Sequence, residues 1–140
     1  MGGRSSEAER KLAFIVDRSR DFITLISHDY RYEVVNDSYC SAMEKARDDI
    51  LGKTVAQVWG RDRFHGNIKQ HLDRCLAGDE IEYVDRFSFG PFERHMQVTL
   101  LPYHGNGQEV THVLVFTRDV TRFSQIESKL SAYEFRDLTT

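Results

Sequence analysis

The stretch Val110-Thr-His-Val-Leu-Val-Phe-Thr-Arg-Asp-Val-Thr121 decides the fold, because it leads a strand directly into a helix. The apolar, β-branched run from Val110 to Arg118 predicts a strand that is apolar on both faces, so we expect it to be central or covered by a helix or a partner. The following residues, Arg122 to Leu130, predict an amphipathic helix, and no Gly or Pro linker separates the two elements. A strand joined to a helix in this way can pass a displacement onward.

The composition predicts one ordinary globular domain. The chain has 140 residues, of which 40% are hydrophobic and 29% charged, and this suits a single buried core. The net charge of −3, with both signs interspersed, argues against binding of nucleic acid, which needs clustered Lys and Arg. No apolar run approaches a membrane span, so we expect a cytoplasmic fragment without membrane contact and with two reduced cysteines, Cys40 and Cys75.

Hydrophobic periodicity predicts the order of the elements. We expect a helix at about 6–19 capped by Ser6 and Glu9, and two strands within 21–36. A short helix to about Ala46 and a longer one from 62 to 77, ended by Gly78, should follow. Three strands are predicted at 80–89, 92–103 and 110–118. This order predicts an α+β fold, an antiparallel sheet with helices on one face. The predicted parts are an N-terminal flanking helix (1–20), a core domain (21–121) and a C-terminal linker helix (122–140).

Four local motifs together resemble the PAS family of sensory domains. They are Tyr32-Glu-Val-Val-Asn36, Arg47-Asp-Asp-Ile-Leu-Gly-Lys53, Leu76-Ala-Gly-Asp-Glu80 and Asp119-Val-Thr121, and the likeness runs from about Asp21 to Thr121. The resemblance implies a PAS-like, five-stranded antiparallel sheet with a cavity between the sheet and the helices. It also implies N- and C-terminal flanking helices that dimerise and connect to an output domain. It does not name a ligand.

The cofactor stays unknown at the level of the sequence. Members that form a flavin adduct carry a Cys in a stretch that corresponds to residues 53–67, and this chain has none there. Haem-binding members ligate iron with a His on the long helix, but His65 and His71 lie about one turn from the corresponding position, near Ile68. His71 and Cys75 have metal-ligand spacing, yet two ligands do not make a zinc site. We therefore expect neither a flavin adduct nor a metal, and do not favour haem.

No catalytic motif is present, so we expect the domain itself to be non-enzymatic. The helices and the last three strands should wall the cavity, and the alternation of the strands selects the residues that face it. Plain core packing is the alternative role for each of them. The predicted ligand-binding residues are Trp59, Ile68, His71, Leu72, Tyr83, Phe87, Met96 and Val98.

The C-terminal end predicts how a signal leaves the domain. We expect Asp119, Val120 and Thr121 to transmit it, with Asp119 and Thr121 hydrogen-bonded across the strand–helix joint. Beyond them, apolar residues step by 3, 4 and 3, which is the a/d seam of a short two-stranded coiled coil. The alternative is a single amphipathic helix folded back on its own sheet. The predicted dimer seam consists of Phe123, Ile126, Leu130 and Tyr133.

These observations predict a sensory module of a bacterial signal-transduction protein. It would sense a small ligand or a redox signal and pass it, through a dimeric C-terminal helix, to an attached output domain of histidine kinase or diguanylate cyclase type. Residues 133–140 have a faint likeness to the entry of a diguanylate cyclase or of a second sensor domain, which predicts that the chain is a piece of a longer receptor. Two alternatives are a ligand-free dimerisation scaffold and a small-ligand enzyme.

Overall fold

The computed structural model describes residues 2–123 and 125–130. Helical residues 121–123 and 125–130 follow the last strand. The elements before them are α1 (Gly2–Arg18), β1 (Phe22–Ser27), β2 (Tyr32–Val35), α2 (Asp37–Met43), a 3₁₀ turn (Arg47–Asp49), α3 (Val55–Trp59), α4 (Arg61–Arg63), a π-helical turn (Phe64–Ile68), α5 (Lys69–Leu76), β3 (Ile81–Phe89), β4 (Phe92–His104) and β5 (Val110–Asp119).

The five strands form one antiparallel sheet in the order β2-β1-β5-β4-β3. The last strand, β5, is therefore central, which is one of the two arrangements that its apolar faces allow. Its residue Thr117 lies opposite Phe22 of β1 on one side and Val98 of β4 on the other. Helix α5 packs against β3, β4 and β5, and α2 packs against β1. The predicted α+β fold, a five-stranded antiparallel sheet with helices, is confirmed.

The side chain of Asn36 joins α1, β1 and α2. Asn36 is fully buried and caps the N-terminus of α2 by accepting from the Tyr39 N–H (3.2 Å). Its Oδ1 also accepts from the Ile23 N–H (3.2 Å), and its Nδ2 donates to the carbonyls of Val16 (3.0 Å) and Asp21 (2.9 Å). Every hydrogen-bonding position of this amide is thus used.

Helix α1 differs from the prediction in its start and in its surroundings. It begins at Gly2, so Ser6 and Glu9 lie inside the helix and the predicted capping role of Ser6 is wrong. Its apolar residues Leu12, Phe14 and Ile15 are each at least 60% exposed. Most of the apolar surface of α1 is therefore uncovered within one copy of the chain.

The predicted long helix is interrupted by the π-helical turn. A π turn holds one residue more than an α turn and often lies beside a functional site. Two side chains tie this region to β3: Arg63 Nη2 donates to the Arg86 carbonyl (2.7 Å) and Asn67 Nδ2 donates to Asp85 (2.5 Å). The helix ends where predicted, at Gly78 with φ +112°, a conformation that glycine adopts without strain.

Candidate ligand cavity and strand–helix joint

A cavity of about 70 Å³ lies between the sheet and the helices. Strands β1, β3, β4 and β5 each contribute two or three residues to its lining, and β2 contributes only its first residue. Helices α3 and α5 and the π turn between them close the opposite side. The lining is mostly apolar and aromatic. It consists of Phe22, Thr24, Ile26, Tyr32, Tyr39, Val55, Trp59, Ile68, His71, Leu72, Tyr83, Phe87, Val98, Leu100, Val115 and Thr117.

Seven of the eight predicted ligand-binding residues line this cavity, and Met96 does not. Met96 is buried on the same face of β4 as Val98, but it lies two residues closer to the joint, opposite Asp85 and Asp119. Strand alternation gives the correct face for Met96, because residues i and i+2 share a face. It does not give the position along the strand at which the cavity ends.

Sequence reasoning missed the side of the cavity formed by β1, β2 and α2. Two tyrosines of that side, Tyr32 and Tyr39, are only 2% and 6% exposed. The signal that the sequence offered for them is their place in the elements. Tyr32 lies in β2, and Tyr39 lies three residues after the cap Asn36. Both positions point toward the core once the strand and the cap are assigned.

Tyr32, Tyr39 and Trp59 form one buried polar group, which we call the hydroxyl cluster. The two tyrosine oxygens are 2.7 Å apart. The indole Nε1–H of Trp59 donates to both, at 2.9 Å to Tyr39 and 3.1 Å to Tyr32. Three separate elements, β2, α2 and α3, bring these groups together against the cavity.

Burial keeps the hydroxyl cluster uncharged. Loss of solvent raises the pKa of Tyr39 to about 12 and raises the pKa of Tyr32 well above its ordinary value. Both phenols thus remain protonated at neutral pH, since a phenolate would lose its hydration in this site. The cluster can act through hydrogen bonds but not through charge.

His71 is another polar residue of the lining, beside Thr24, Tyr83 and Thr117. Its ring stacks on Tyr83, with centroids 3.9 Å apart and planes at 13°. Nδ1 lies 3.0 Å from the carbonyl oxygen of Asn67. A carbonyl oxygen only accepts, so Nδ1 carries the hydrogen and donates it. In the neutral ring Nε2 is then an acceptor.

The strand–helix joint is held by hydrogen bonds to β4. The N–H of His95 donates to Thr121 Oγ1 (2.8 Å), and the N–H of Val120 donates to the His95 carbonyl (2.9 Å). Within the joint, the N–H of Thr121 donates to Asp119 Oδ1 (2.9 Å). Arg94 lies 3.7 Å from the other carboxylate oxygen of Asp119. The side chains of both predicted joint residues therefore fix the geometry at which the helix leaves the sheet.

The sequence profile of the PAS fold family matches residues 16–125 of this chain. The chain belongs to the PAS fold family. The match covers α1 from Val16, the whole sheet and the start of the C-terminal helix, so this PAS domain includes both the cavity and the joint. No curated protein sequence matches it.

Solved structures show the same fold at low sequence identity. The PAS domain of BvgS from Bordetella pertussis has a TM-score of 0.69 at 19% identity, over 93% of this chain and 98% of that one. A sensory box sensor histidine kinase from Vibrio cholerae has a TM-score of 0.59 at 16% identity, over 86% and 96%. VqmA of Vibrio cholerae, in complex with ligand and DNA, has a TM-score of 0.69 at 12% identity, over 81% of this chain and 51% of that one.

The cavity of this PAS domain does not fit haem or flavin. Pockets for ligands of drug or cofactor size measure several hundred Å³, against about 70 Å³ here. His65 is exposed and lies outside the lining. Cys75 is buried away from the cavity lining, and burial raises its pKa to about 11, so it is a poor nucleophile or redox group.

Two further observations concern metals and membranes. In the described ranges, no three His, Cys, Asp or Glu side chains are grouped so that they could hold a metal ion. None of the helices in the described part of the chain combines the length and the hydropathy that a membrane span requires.

The predicted dimer seam is partly within the described residues. Phe123, Ile126 and Leu130 are helical and 48–61% exposed. Tyr133, the last seam residue, lies outside the described residues. The three described side chains are largely uncovered in a single copy of the domain.

Proposed function

We propose that this PAS domain senses a small molecule in the 70 Å³ cavity and transmits its binding through β5 to the C-terminal helix. The observation that carries the proposal is the continuity of β5. Val115 and Thr117 of this strand line the cavity, and Asp119 lies two residues beyond Thr117, in the joint. A change in the cavity therefore acts on the strand that positions the joint. The proposed ligand site consists of the hydroxyl cluster and of the predicted ligand-binding residues other than Met96.

The proposed output route is a dimer. Apolar surface is exposed on α1, at Leu12 and Ile15, and on the C-terminal helix, at Phe123, Ile126 and Leu130. Several large apolar side chains exposed on one helix are typical of an interaction site. We propose that a second copy of the chain covers it, and that an attached output domain, of histidine kinase or diguanylate cyclase type, receives the signal. The proposed setting is the cytoplasm of a bacterium.

Dimerisation is tested by sedimentation of Ile126→Glu. A charge in the seam should shift the monomer–dimer equilibrium toward monomer by at least roughly tenfold, because a buried carboxylate without a partner is strongly disfavoured. The matched control is Gln125→Glu, which adds the same negative charge at the position beside the seam and should leave the equilibrium unchanged. A helix folded back on its own sheet would instead give a monomer at all concentrations in the parent chain.

Coupling between cavity and joint is tested with the cavity-filling variant Val98→Phe. Its ring extends into the cavity, and hydrogen exchange at the amides of His95 and Val120 should change as a result. Val84→Phe on the exposed face of β3 is the matched control and should leave both amides unchanged. If Val98→Phe folds and the joint amides exchange as in the parent chain, transmission through β5 is wrong.

The second candidate is a dimerisation scaffold without a ligand, which the small volume of the cavity favours. In that case Val98→Phe would only rearrange the side chains of the core, so the stability would change and the joint amides would not respond. We propose no nucleic-acid contact for this domain, since its net charge is −3. VqmA is bound to DNA in its complex, and it shares with this chain the fold at 12% identity.

A further inference from the structure

The hydroxyl cluster has one more donor than its own contacts can use. Trp59 Nε1 and the hydroxyls of Tyr32 and Tyr39 bring three hydrogens in total. The indole hydrogen is shared between the two oxygens, and one hydroxyl hydrogen is used in the contact between Tyr32 and Tyr39. The other hydroxyl hydrogen has no acceptor in any contact that these two tyrosines make among the described residues.

An unused donor in this place points to a missing acceptor. Both tyrosines are nearly fully buried, and a buried donor without a partner costs stability. Both also line the cavity. An acceptor oxygen or nitrogen in the cavity, opposite the hydroxyl cluster, would complete the network.

The rest of the lining limits the charge of the occupant. Among the described residues, no Asp, Glu, Lys or Arg lines the cavity. An ionised group would lose its hydration there without gaining an ion pair, which disfavours a carboxylate or an ammonium. His71 also lines the cavity, and Nε2 of its neutral ring is an acceptor, so a donor on the same molecule would also find a partner.

We propose that the ligand is a small, uncharged molecule with a hydrogen-bond acceptor, such as an amide, ketone or neutral heterocycle, that receives the unused hydroxyl hydrogen of Tyr32 or Tyr39. This inference rests on the proposed function of the cavity as a ligand site. The expected size of the ligand follows from the volume of the cavity, because about 70 Å³ holds on the order of five water molecules.

The test uses Trp59, the single tryptophan of the chain, because its indole N–H lies in the hydroxyl cluster and gives one side-chain NMR signal. The ¹⁵N-labelled chain is titrated with cyclopropanecarboxamide, its isosteric carboxylate and methylcyclopentane, which have equal numbers of non-hydrogen atoms. We expect the amide to shift the indole signal and to bind at least roughly tenfold more tightly than the carboxylate. The hydrocarbon should bind without an equal shift.

Variants of the chain test whether the preference for the amide depends on the hydroxyl cluster. The triple variant Tyr32→Phe, Tyr39→Phe and Trp59→Phe removes every cluster donor, and methyl signals of the lining then report binding. It should bind amide and hydrocarbon about equally. Tyr30→Phe is the matched control, since the Tyr30 hydroxyl donates to Asp73 (2.5 Å) and does not line the cavity, and it should keep the preference for the amide.

The outcomes separate this inference from the proposed function. Equal binding of carboxylate and amide would overturn the ligand class and leave the cavity a ligand site. No binding of any probe, as when a resident water already satisfies the hydroxyl, would overturn both. The comparison of probes on the unmodified chain decides the matter even if the triple variant does not fold.

Discussion

Two buried polar groups lie side by side in this PAS domain and differ in one respect. The amide of Asn36 uses both donors and both acceptor positions on backbone groups of α1, β1 and α2. The hydroxyl cluster uses two of its three hydrogens. Tyr39 belongs to both groups, since its N–H bonds to Asn36 and its hydroxyl to the cluster.

This difference in hydrogen bonding indicates a structural role for the Asn36 amide and a binding role for the hydroxyl cluster. A buried group whose hydrogen bonds are all made within the chain fixes the fold and offers nothing to a ligand. A buried group with a hydrogen left over beside a cavity can bind a molecule that accepts it. Loss of the Asn36 amide should therefore cost more stability than loss of a cluster hydroxyl.

Replacing Asn36 with alanine should cost the most stability. The change removes four hydrogen bonds and leaves buried backbone groups unpaired, so we expect the free energy of unfolding to fall by about 3–5 kcal/mol. Urea denaturation measures it. Asn106→Ala, the same change in the exposed turn between β4 and β5, is the matched control and should cost less than about 0.5 kcal/mol. Similar losses of stability in both variants would contradict a structural role of Asn36.

High pH should act on the hydroxyl cluster and not on Asn36. The folded chain holds the Tyr39 proton more tightly, with a pKa of about 12 against an ordinary value of 10. Its contribution is therefore complete below pH 10 and is lost as the pH rises from 10 toward 12. At about pH 11 the loss should be on the order of 1 kcal/mol for Tyr39, with a further loss from Tyr32.

The alkaline loss is measured by urea denaturation between pH 9 and pH 11. The double variant Tyr32→Phe and Tyr39→Phe should show a flatter dependence of stability on pH than the parent chain. The raised pKa of Tyr83 is common to both proteins and does not affect the comparison. An equal slope in the two would contradict the view that burial of the cluster hydroxyls opposes their ionisation.

Removing one cluster hydroxyl at neutral pH should cost less than removing the Asn36 amide. In Tyr39→Phe the ring stays, the indole still donates to Tyr32, and no backbone group loses a partner. We expect a loss of about 1 kcal/mol and a clear shift of the Trp59 indole NMR signal. A loss as large as that of Asn36→Ala would show that the cluster is as structural as the cap.

The joint should show the smallest change in stability. Thr121→Val keeps the shape but removes the acceptor of the His95 N–H, so we expect less than about 1 kcal/mol of destabilisation. Hydrogen exchange at the His95 amide should be faster by roughly tenfold. Thr99→Val, the same substitution at a position within β4, is the control and should leave that amide protected. Unchanged exchange in Thr121→Val would mean that this bond does not hold the joint.

Some of these features could be predicted from local sequence. Alternation placed Tyr83, Phe87 and Val98 on the cavity face, and helical periodicity did the same for Ile68 and Leu72. The hydroxyl cluster could not be found in this way. Its oxygens and nitrogen meet across β2, α2 and α3, and local periodicity gives the face of an element but not which faces meet. The end of the cavity before Met96 was missed for the same reason.

Local sequence was enough to predict the strands, the end of the helix at Gly78 and the Asp119-Val-Thr121 motif, because each depends on neighbours within a few residues. Only the tertiary structure decided that β5 lies between β1 and β4, that Thr121 bonds to His95, 26 residues away, and that a hydroxyl hydrogen is left over beside the cavity. These depend on how separate elements pack, and no local pattern encodes the distances between them.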